Sequence, residues 1–176
     1  MLTIRLAAAL FALLPAAAGY AQTVAPLPDN PQVDYAAFAE LASNIAGYRQ
    51  SRLVGFDDFQ KLAGQKGVLV LDTRSAAAFA AGHIEGAVNL PFPDFTDEKL
   101  ANVIGDTGRT ILIYCNNNFS NDRAPVVTKR APLALNIPTF INLYGYGYRN
   151  IYELNDVVDM DDSRVRFVKA SRDAEG

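Results

Sequence analysis

Cys115 is the single cysteine of the 176-residue chain, and it ends the most apolar predicted strand, Thr110–Cys115. The polar run NNNFSNDR follows it, and a helix is predicted from about Arg123 to Leu135. In an open α/β sheet, reactive groups lie beyond the carboxyl ends of the strands. Backbone N–H groups and the positive end of a helix dipole stabilise a thiolate, which is the nucleophilic form. A free cysteine is also often a small buried hydrophobic residue, so both interpretations stay open at this point.

The residues after Cys115 are suited to holding an anion. Asparagine tolerates left-handed backbone and offers both donors and acceptors, and Arg123 carries a fixed positive charge. The same asparagines could instead simply build the turn. We expect at least one of their side chains to face a pocket. The predicted substrate- or anion-binding loop consists of Asn116, Asn117, Asn118, Phe119, Ser120, Asn121, Asp122 and Arg123.

A second group of polar residues follows the other strongly apolar strand, Val68–Asp72. Asp72 and Arg74 are expected to pair and to order the loops near Cys115, although Arg74 could also face an anion. His83, the only histidine, is expected to bond the local backbone, with general-base chemistry as the alternative. A single cysteine and a single histidine provide neither a multi-cysteine nor a histidine-based zinc site. We therefore predict no metal and no other cofactor.

Together the two polar segments resemble the signatures of the rhodanese-like family. The strand end Tyr114-Cys115 is similar to the start of the family's active-site loop, and the resemblance covers roughly residues 51–160. It implies a mostly parallel sheet of about five strands with helices on both faces. It also implies a cysteine that carries a transferable sulfur as a persulfide, cradled by loop amides. The residues similar to the first signature are Asp72-Thr73-Arg74, Phe79, Gly82-His83-Ile84, Gly86-Ala87 and Asn89-Leu90-Pro91.

Three features depart from the family pattern. Seven residues, none of them glycine, separate Cys115 from Arg123, whereas the sulfurtransferases commonly have a shorter loop and the related dual-specificity phosphatases have five residues. Ala78 stands where an acidic residue is usual. The glycine pair and tryptophan of the family's last helix are replaced by the run YGYGY at 144–148. These departures concern the substrate and the turnover more than the fold.

The elements that must position Cys115 follow from the hydrophobic pattern. Near-continuous apolar strands that alternate with helical segments indicate an α/β fold whose parallel sheet is covered on both faces. An additional N-terminal helix is expected after Asp34, which is a suitable N-cap. The predicted helices are 35–49, 57–62, 75–80, 97–104, 123–135 and 148–154, and the predicted strands are 68–72, 88–90, 110–115, 139–144 and 165–168.

The chain is predicted to divide into four parts. Residues 1–21 have the pattern of a secretory signal peptide, residues 22–50 form a proline-rich linker and the N-terminal helix, and residues 161–176 form a polar tail after the domain at 51–160. The alternative for the N-terminus is a membrane anchor, but its apolar run is shorter than the ~20 residues of a spanning helix. We expect an exported protein, with the periplasm as its destination and no membrane span after signal cleavage.

The leading functional hypothesis is an exported sulfurtransferase or sulfane-sulfur carrier. Its Cys115 thiolate would form a persulfide and pass the sulfur to a thiol acceptor. The expected partners are a small sulfur-containing anion, the thiol acceptor and a protein, but not nucleic acid, because the formal charge is −3. A non-catalytic binding or redox-partner module that uses the loop 115–123 is the alternative. Phosphatase or arsenate-reductase chemistry is the weaker one. Because the chain has no second cysteine, another molecule must discharge any persulfide.

Overall fold

The computed structural model of the protein describes residues 30–169. The predicted signal peptide at 1–21 lies outside the described residues, as do most of the predicted linker and the end of the polar tail.

A five-stranded sheet forms the centre of the domain. The strands of the described residues are β1 Leu53–Val54, β2 Leu69–Asp72, β3 Gly82–Ile84, β4 Val88–Asn89, β5 Ile111–Tyr114, β6 Ile151–Leu154 and β7 Phe167–Lys169. The sheet has the strand order β1-β6-β5-β2-β4, and every neighbouring pair is parallel. The other two strands, β3 and β7, form a separate antiparallel pair. This confirms the predicted α/β sheet.

Within residues 30–169, six α-helices connect and cover these strands. Two of them begin where the sequence supplies a cap: the hydroxyl of Ser75 accepts the N–H of Ala78 at 3.2 Å, and that of Thr96 accepts the N–H of Lys99 at 3.2 Å. The predicted N-terminal helix is present but is interrupted at Ile45. The helices are α1 Tyr35–Asn44, α2 Ala46–Gln50, α3 Phe56–Ala63, α4 Ala76–Ala81, α5 Asp97–Ile104 and α6 Asn136–Gly145.

Both faces of the sheet are buried in apolar clusters. Successive side chains of a strand point to opposite faces, so Leu69 and Leu71 of β2 belong to one cluster and Val70 belongs to the other. The first cluster includes Leu100 of α5 and residues of α6, and the second includes residues of α3 and of the chain after β5. The central strands β2 and β5 are therefore held from both sides. Their carboxyl ends are adjacent, because Asp72 lies in register with Tyr114.

The second half of the chain differs from the sequence prediction at three elements. The helix predicted at 123–135 is absent, since Pro132 would lie in its interior and lacks the N–H donor needed there, and only a short 3₁₀ turn forms at Ala131–Leu133. The strand predicted at 139–144 lies inside α6 instead, because a short apolar run does not distinguish a strand from a buried helix. Pro138 is compatible with this helix because it lies in the first turn, where an N–H needs no helical partner. The helix predicted at 148–154 is absent, and Ile151–Leu154 form the strand β6 instead.

Candidate active site around Cys115

Cys115 follows β5 directly, at the carboxyl end of the sheet, and its side chain is 1% exposed. Its sulfur accepts a hydrogen bond from the backbone N–H of Asn117 at 3.3 Å. The backbone N–H groups of Leu135 and Asn136 also act on the sulfur, since they lower the pKa of the thiol. Amides from two separate segments therefore face the sulfur, and the amide of Asn117 makes a hydrogen bond to it. The predicted helix N-terminus is present, but it belongs to α6, which begins at Asn136, and not to a helix at Arg123.

The electrostatic balance at Cys115 favours the protonated thiol. Burial raises the pKa of the Cys115 thiol above its ordinary value, and this effect outweighs the opposing hydrogen bonds from Asn117, Asn136 and Leu135. The charge of nearby Glu153 raises this pKa as well. The three amides would stabilise a thiolate or a persulfide anion, but the closed surroundings keep the resting sulfur neutral.

Glu153 on β6 is itself buried, and Arg49 of α2 neutralises it. The guanidinium of Arg49 donates to both carboxylate oxygens of Glu153, at 2.8 Å from Nε and 2.5 Å from Nη2. Burial raises the pKa of Glu153, and the hydrogen bonds from Arg49 and Asn136 partly offset this. The ion pair between Arg49 and Glu153 thus connects helix α2 to a residue near the sulfur.

Asn118 has a structural position inside the loop. Its side-chain oxygen accepts the backbone N–H of Cys115 at 2.9 Å and the side-chain N–H of Asn136 at 3.0 Å. Its amide nitrogen donates to the carbonyls of Leu154 at 2.7 Å and Asp156 at 3.1 Å. One buried carboxamide therefore ties the thiol-bearing residue to the start of α6 and to the end of β6.

Asn116 and Asn117 face a different direction from Asn118. Asn116 lines a surface cleft, in agreement with the expectation that at least one asparagine faces a pocket. The carboxamide of Asn117 donates to the carbonyl of Lys129 at 2.7 Å and accepts its N–H at 3.0 Å. Asn117 thereby connects the residues after Cys115 to the segment around Lys129. Residues 116–135 cover the sulfur as one connected segment, which we call the strap.

Residues 119–123, which were predicted to surround the sulfur, turn towards the segment 158–162 instead. Phe119 is buried in the core, where it packs edge-on against Tyr114. Ser120, Asn121 and Arg123 anchor the strap to residues 158–161, whereas Asp122 bonds within the strap itself. Ser120 N–H donates to Val158 at 2.9 Å, the Asn121 amide donates to Asp159 at 2.8 Å, the Asp122 carboxylate accepts the Thr128 N–H at 3.0 Å, and the guanidinium of Arg123 pairs with Asp161.

Asp72 and Arg74 form the expected buried ion pair beyond the end of β2. The guanidinium Nη2 lies 2.6 Å from Oδ2 of Asp72, and the same carboxylate oxygen accepts the hydroxyl of Tyr114 at 2.6 Å. Arg74 also donates to the carbonyls of Gly82 at 2.7 Å and Pro125 at 3.1 Å. The pair therefore fixes the strap from the side of β2, and the donors of Arg74 are engaged by groups of the protein itself.

His83 lies on β3 and bonds the local backbone, as expected. Its Nδ1 is 2.9 Å from the carbonyl of Phe79, and the two rings are stacked with centroids 3.8 Å apart. The neighbouring Gly82 lies so close to Phe167 that a Cβ there would come within 2.5 Å of its ring. The Gly-His-Ile segment therefore shapes the packing under the strap.

A surface cleft of about 320 Å³ lies beyond the carboxyl ends of β2 and β5. We call it the β2–β5 cleft. Ser75, Phe92, Pro93, Asn116, Lys129 and Leu135 are among its lining residues. Cys115 itself does not line the cleft, but two lining residues are close to it: Asn116 follows it in the chain, and the N–H of Leu135 lowers the pKa of its thiol.

Sequence reasoning missed four residues of this arrangement: Arg49, Lys129, Leu135 and Asn136. The separation of about 20 residues between Cys115 and Asn136 hid the helix that faces the sulfur. The one available signal was Pro138, since proline is favoured in the first turn of a helix. Nothing in the local sequence indicated that Lys129 would return to the site.

Two further observations concern residues 30–169. No group of three or more histidine, cysteine, aspartate or glutamate side chains in this range is arranged to hold a metal ion. Among the helices of the same range, none combines the length and the apolar character needed to cross a bilayer.

The chain is similar to several solved structures. The rhodanese-like domain of a protein from Anabaena sp. has 19% identity over 50% of this chain and 76% of its own, at a TM-score of 0.37. A protein from Bacillus halodurans has 20% identity over 66% of this chain and 74% of its own, at a TM-score of 0.41. EanB in complex with hercynine has 22% identity, but this chain covers 23% of EanB, at a TM-score of 0.42.

No curated protein matches the chain. The model of the rhodanese-like domain family matches residues 56–156, which is more than half of the 176 residues. This range includes the whole five-stranded sheet apart from β1, together with Cys115 and the strap. The chain therefore belongs to the rhodanese-like family.

Proposed function

We propose that this protein is a sulfane-sulfur carrier or sulfurtransferase whose Cys115 holds the sulfur as a persulfide. The observation that carries the proposal is the hydrogen bond from the N–H of Asn117 to the Cys115 sulfur at 3.3 Å, to which the N–H groups of Leu135 and Asn136 add by lowering the pKa of the thiol. Fixed N–H donors aimed at one atom stabilise the negative charge that develops there, whether on a thiolate or on a persulfide.

The proposed reaction needs no cofactor. The Cys115 thiolate attacks the outer sulfur of a sulfane donor, the sulfur–sulfur bond of the donor breaks, and the leaving group takes the electron pair. The thiolate of an acceptor then attacks the outer sulfur of the persulfide, and Cys115 is released as a thiolate. Each step forms one sulfur–sulfur bond and breaks another. No external oxidant or reductant is therefore required.

Access to the sulfur controls this reaction. The side chain of Cys115 is 1% exposed, so a donor reaches it only when part of the strap moves aside. Movement that admits water would remove the burial that raises the pKa of Cys115, while the amides at 117, 135 and 136 would still stabilise the anion. The resting protein would thus keep a neutral, protected thiol and form the nucleophile on opening. Burial of the thiol suits an exported protein, because exposed thiols are oxidised in oxidising compartments.

Thiocyanate formation from cyanide tests the proposal. The full chain is incubated with thiosulfate or polysulfide and then with cyanide, beside a Cys115→Ser variant that keeps the size of the side chain. We expect thiocyanate from the wild type and only background from the variant. Equal rates for both proteins with every donor would refute the assignment to Cys115.

The burial of Cys115 also favours a second candidate, a binding module that does not turn over. In that case the closed strap is the functional surface, and Cys115 serves only as a small core residue. The Cys115→Ser variant would then retain the biological function in a complementation assay, whereas the carrier proposal requires the variant to fail. The phosphatase alternative gains no support, because the guanidinium of Arg123 pairs with Asp161.

A further inference from the structure

The β2–β5 cleft combines an apolar wall with one uncompensated positive charge. Phe92, Pro93 and Leu135 provide apolar surface, while Asn116 and Lys129 provide polar groups. The other charged lining residue, Arg74, is neutralised by Asp72 at 2.6 Å. Lys129 is therefore the residue whose charge is available to a molecule in the cleft.

Lys129 is held in place at the cleft. The side chain of Asn117 bonds both its N–H, at 3.0 Å, and its carbonyl, at 2.7 Å, and this fixes its backbone. Within residues 30–169 the ammonium group of Lys129 takes part in no ion pair. The strap contains one acidic residue, Asp122, and three basic ones, Arg123, Lys129 and Arg130, so its net charge is +2, although the whole protein has a net charge of −3. Asp122 bonds Thr128 and Arg123 pairs with Asp161, which leaves Lys129 and Arg130 as the basic residues of the strap outside the ion pairs of residues 30–169.

The size of the cleft indicates an organic molecule. Its volume of about 320 Å³ is at the lower end of the roughly 300–1,000 Å³ that small-molecule sites occupy. An inorganic sulfur anion has a few heavy atoms, and a water molecule takes about 30 Å³ of liquid volume, so such an anion would leave much of the cleft empty. It would also leave the surface of Phe92 and Pro93 without contact.

We propose that the β2–β5 cleft binds the sulfur acceptor, and that this acceptor is an organic thiol with a negatively charged group that Lys129 recognises. The inference rests on the proposed persulfide function and adds the class of substrate. The acceptor's carbon chain contacts the apolar wall, its anionic group faces Lys129, and its thiolate attacks the outer sulfur of the Cys115 persulfide. The new sulfur–sulfur bond forms on the acceptor as the bond to Cys115 breaks, and the electron pair returns to Cys115.

A single-turnover experiment tests this proposal. The full chain is loaded with polysulfide, excess reagent is removed, and the loss of the added sulfur from Cys115 is followed after addition of 3-mercaptopropionate or 3-mercaptopropan-1-ol. These thiols differ in charge but little in size. Each rate is divided by the rate of the same thiol with a small free disulfide, which removes differences in intrinsic nucleophilicity.

We expect the wild type to prefer the anionic thiol by roughly fivefold, the upper range for one solvent-exposed charge interaction. Lys129→Gln should abolish the preference, Lys129→Arg should retain it, and added salt should reduce it because exposed charges are screened. The matched control is Lys66→Gln, which removes the same charge from an exposed position before the amino end of β2 and should leave the preference unchanged.

The outcomes separate this inference from the function on which it rests. Equal normalised rates in the wild type, or an unchanged preference in Lys129→Gln, would overturn the assigned acceptor class while the persulfide on Cys115 stands. A protein that takes up no sulfur in the loading step would instead overturn the proposed function itself.

Discussion

At the scale of single residues, Asn118 organises the site more than its sequence context suggests. A run of three asparagines is typical of a turn, and the loop residues were predicted to bind substrate. The structure separates their roles: Asn116 lines the cleft, Asn117 holds Lys129, and Asn118 is buried with four bonded neighbours. The pattern predicted a polar turn after Cys115, but it contained no information about which asparagine faces inward.

Asn118→Ala should strongly destabilise the protein. The substitution removes the buried hydrogen bonds that the Asn118 side chain makes with the N–H of Cys115 and the carbonyl of Leu154. We expect the free energy of unfolding to fall by about 3 kcal/mol, since the loss of each such bond costs about 1–3 kcal/mol. Urea denaturation measures this loss. Asn116→Ala is the control from the same loop, and it should cost less than about 1 kcal/mol because its side chain makes only a 3.5 Å contact with Arg74. Equal losses for the two variants would contradict the assigned role of Asn118.

At the scale of elements, the helices and most of the strands up to β5 were predicted, apart from β1 and β3, whereas the elements between β5 and β7 were not. Helix α5 is indicated by its capping residue, and the strands β2 and β5 are indicated by their apolar runs. The strap could not be predicted, because its course depends on contacts with residues far away in sequence, such as Asn121 with Asp159 and Arg74 with Pro125. The start of α6, which was not predicted at this place, brings the amides of Asn136 and of the preceding Leu135 to the sulfur.

Asn117→Ala should loosen the strap and make Cys115 more reactive. The variant loses the two hydrogen bonds to the backbone of Lys129, but the backbone N–H that bonds the sulfur remains. We expect alkylation by iodoacetamide in the native protein to accelerate about fivefold, which corresponds to a net loss of about 1 kcal/mol for the closed state. Intact mass against time measures the rate. Ser120→Ala is the control, since that hydroxyl makes only a 3.5 Å contact with Val158. An unchanged rate in Asn117→Ala would show that the strap does not control access.

At the scale of the whole molecule, the buried thiol makes stability depend on pH in the alkaline range. Burial raises the pKa of Cys115 in the folded chain above the value of about 8.5 for an unfolded thiol. Between these two values the unfolded chain has lost the proton and the folded chain has kept it, so stability falls as the pH rises. The contribution of the thiol is fully present below about pH 8.5 and is lost above it.

Comparison of the wild type with Cys115→Ser isolates this effect from other groups that titrate at alkaline pH. Urea midpoints are measured under reducing conditions at about pH 7, 8.5 and 10. We expect the wild type to lose stability relative to the variant between the second and third values. Parallel curves for the two proteins would contradict a raised pKa at Cys115.

The central claim is that Cys115 accepts one sulfur atom and that three backbone amides hold it. Intact mass of the full chain after brief treatment with polysulfide, followed by peptide mapping, tests this most directly. The account predicts a gain of one sulfur, about 32 Da, on the peptide that contains Cys115, reversed by a thiol and absent in Cys115→Ser. An unmodified Cys115 under conditions in which Asn117→Ala is also unmodified would contradict it.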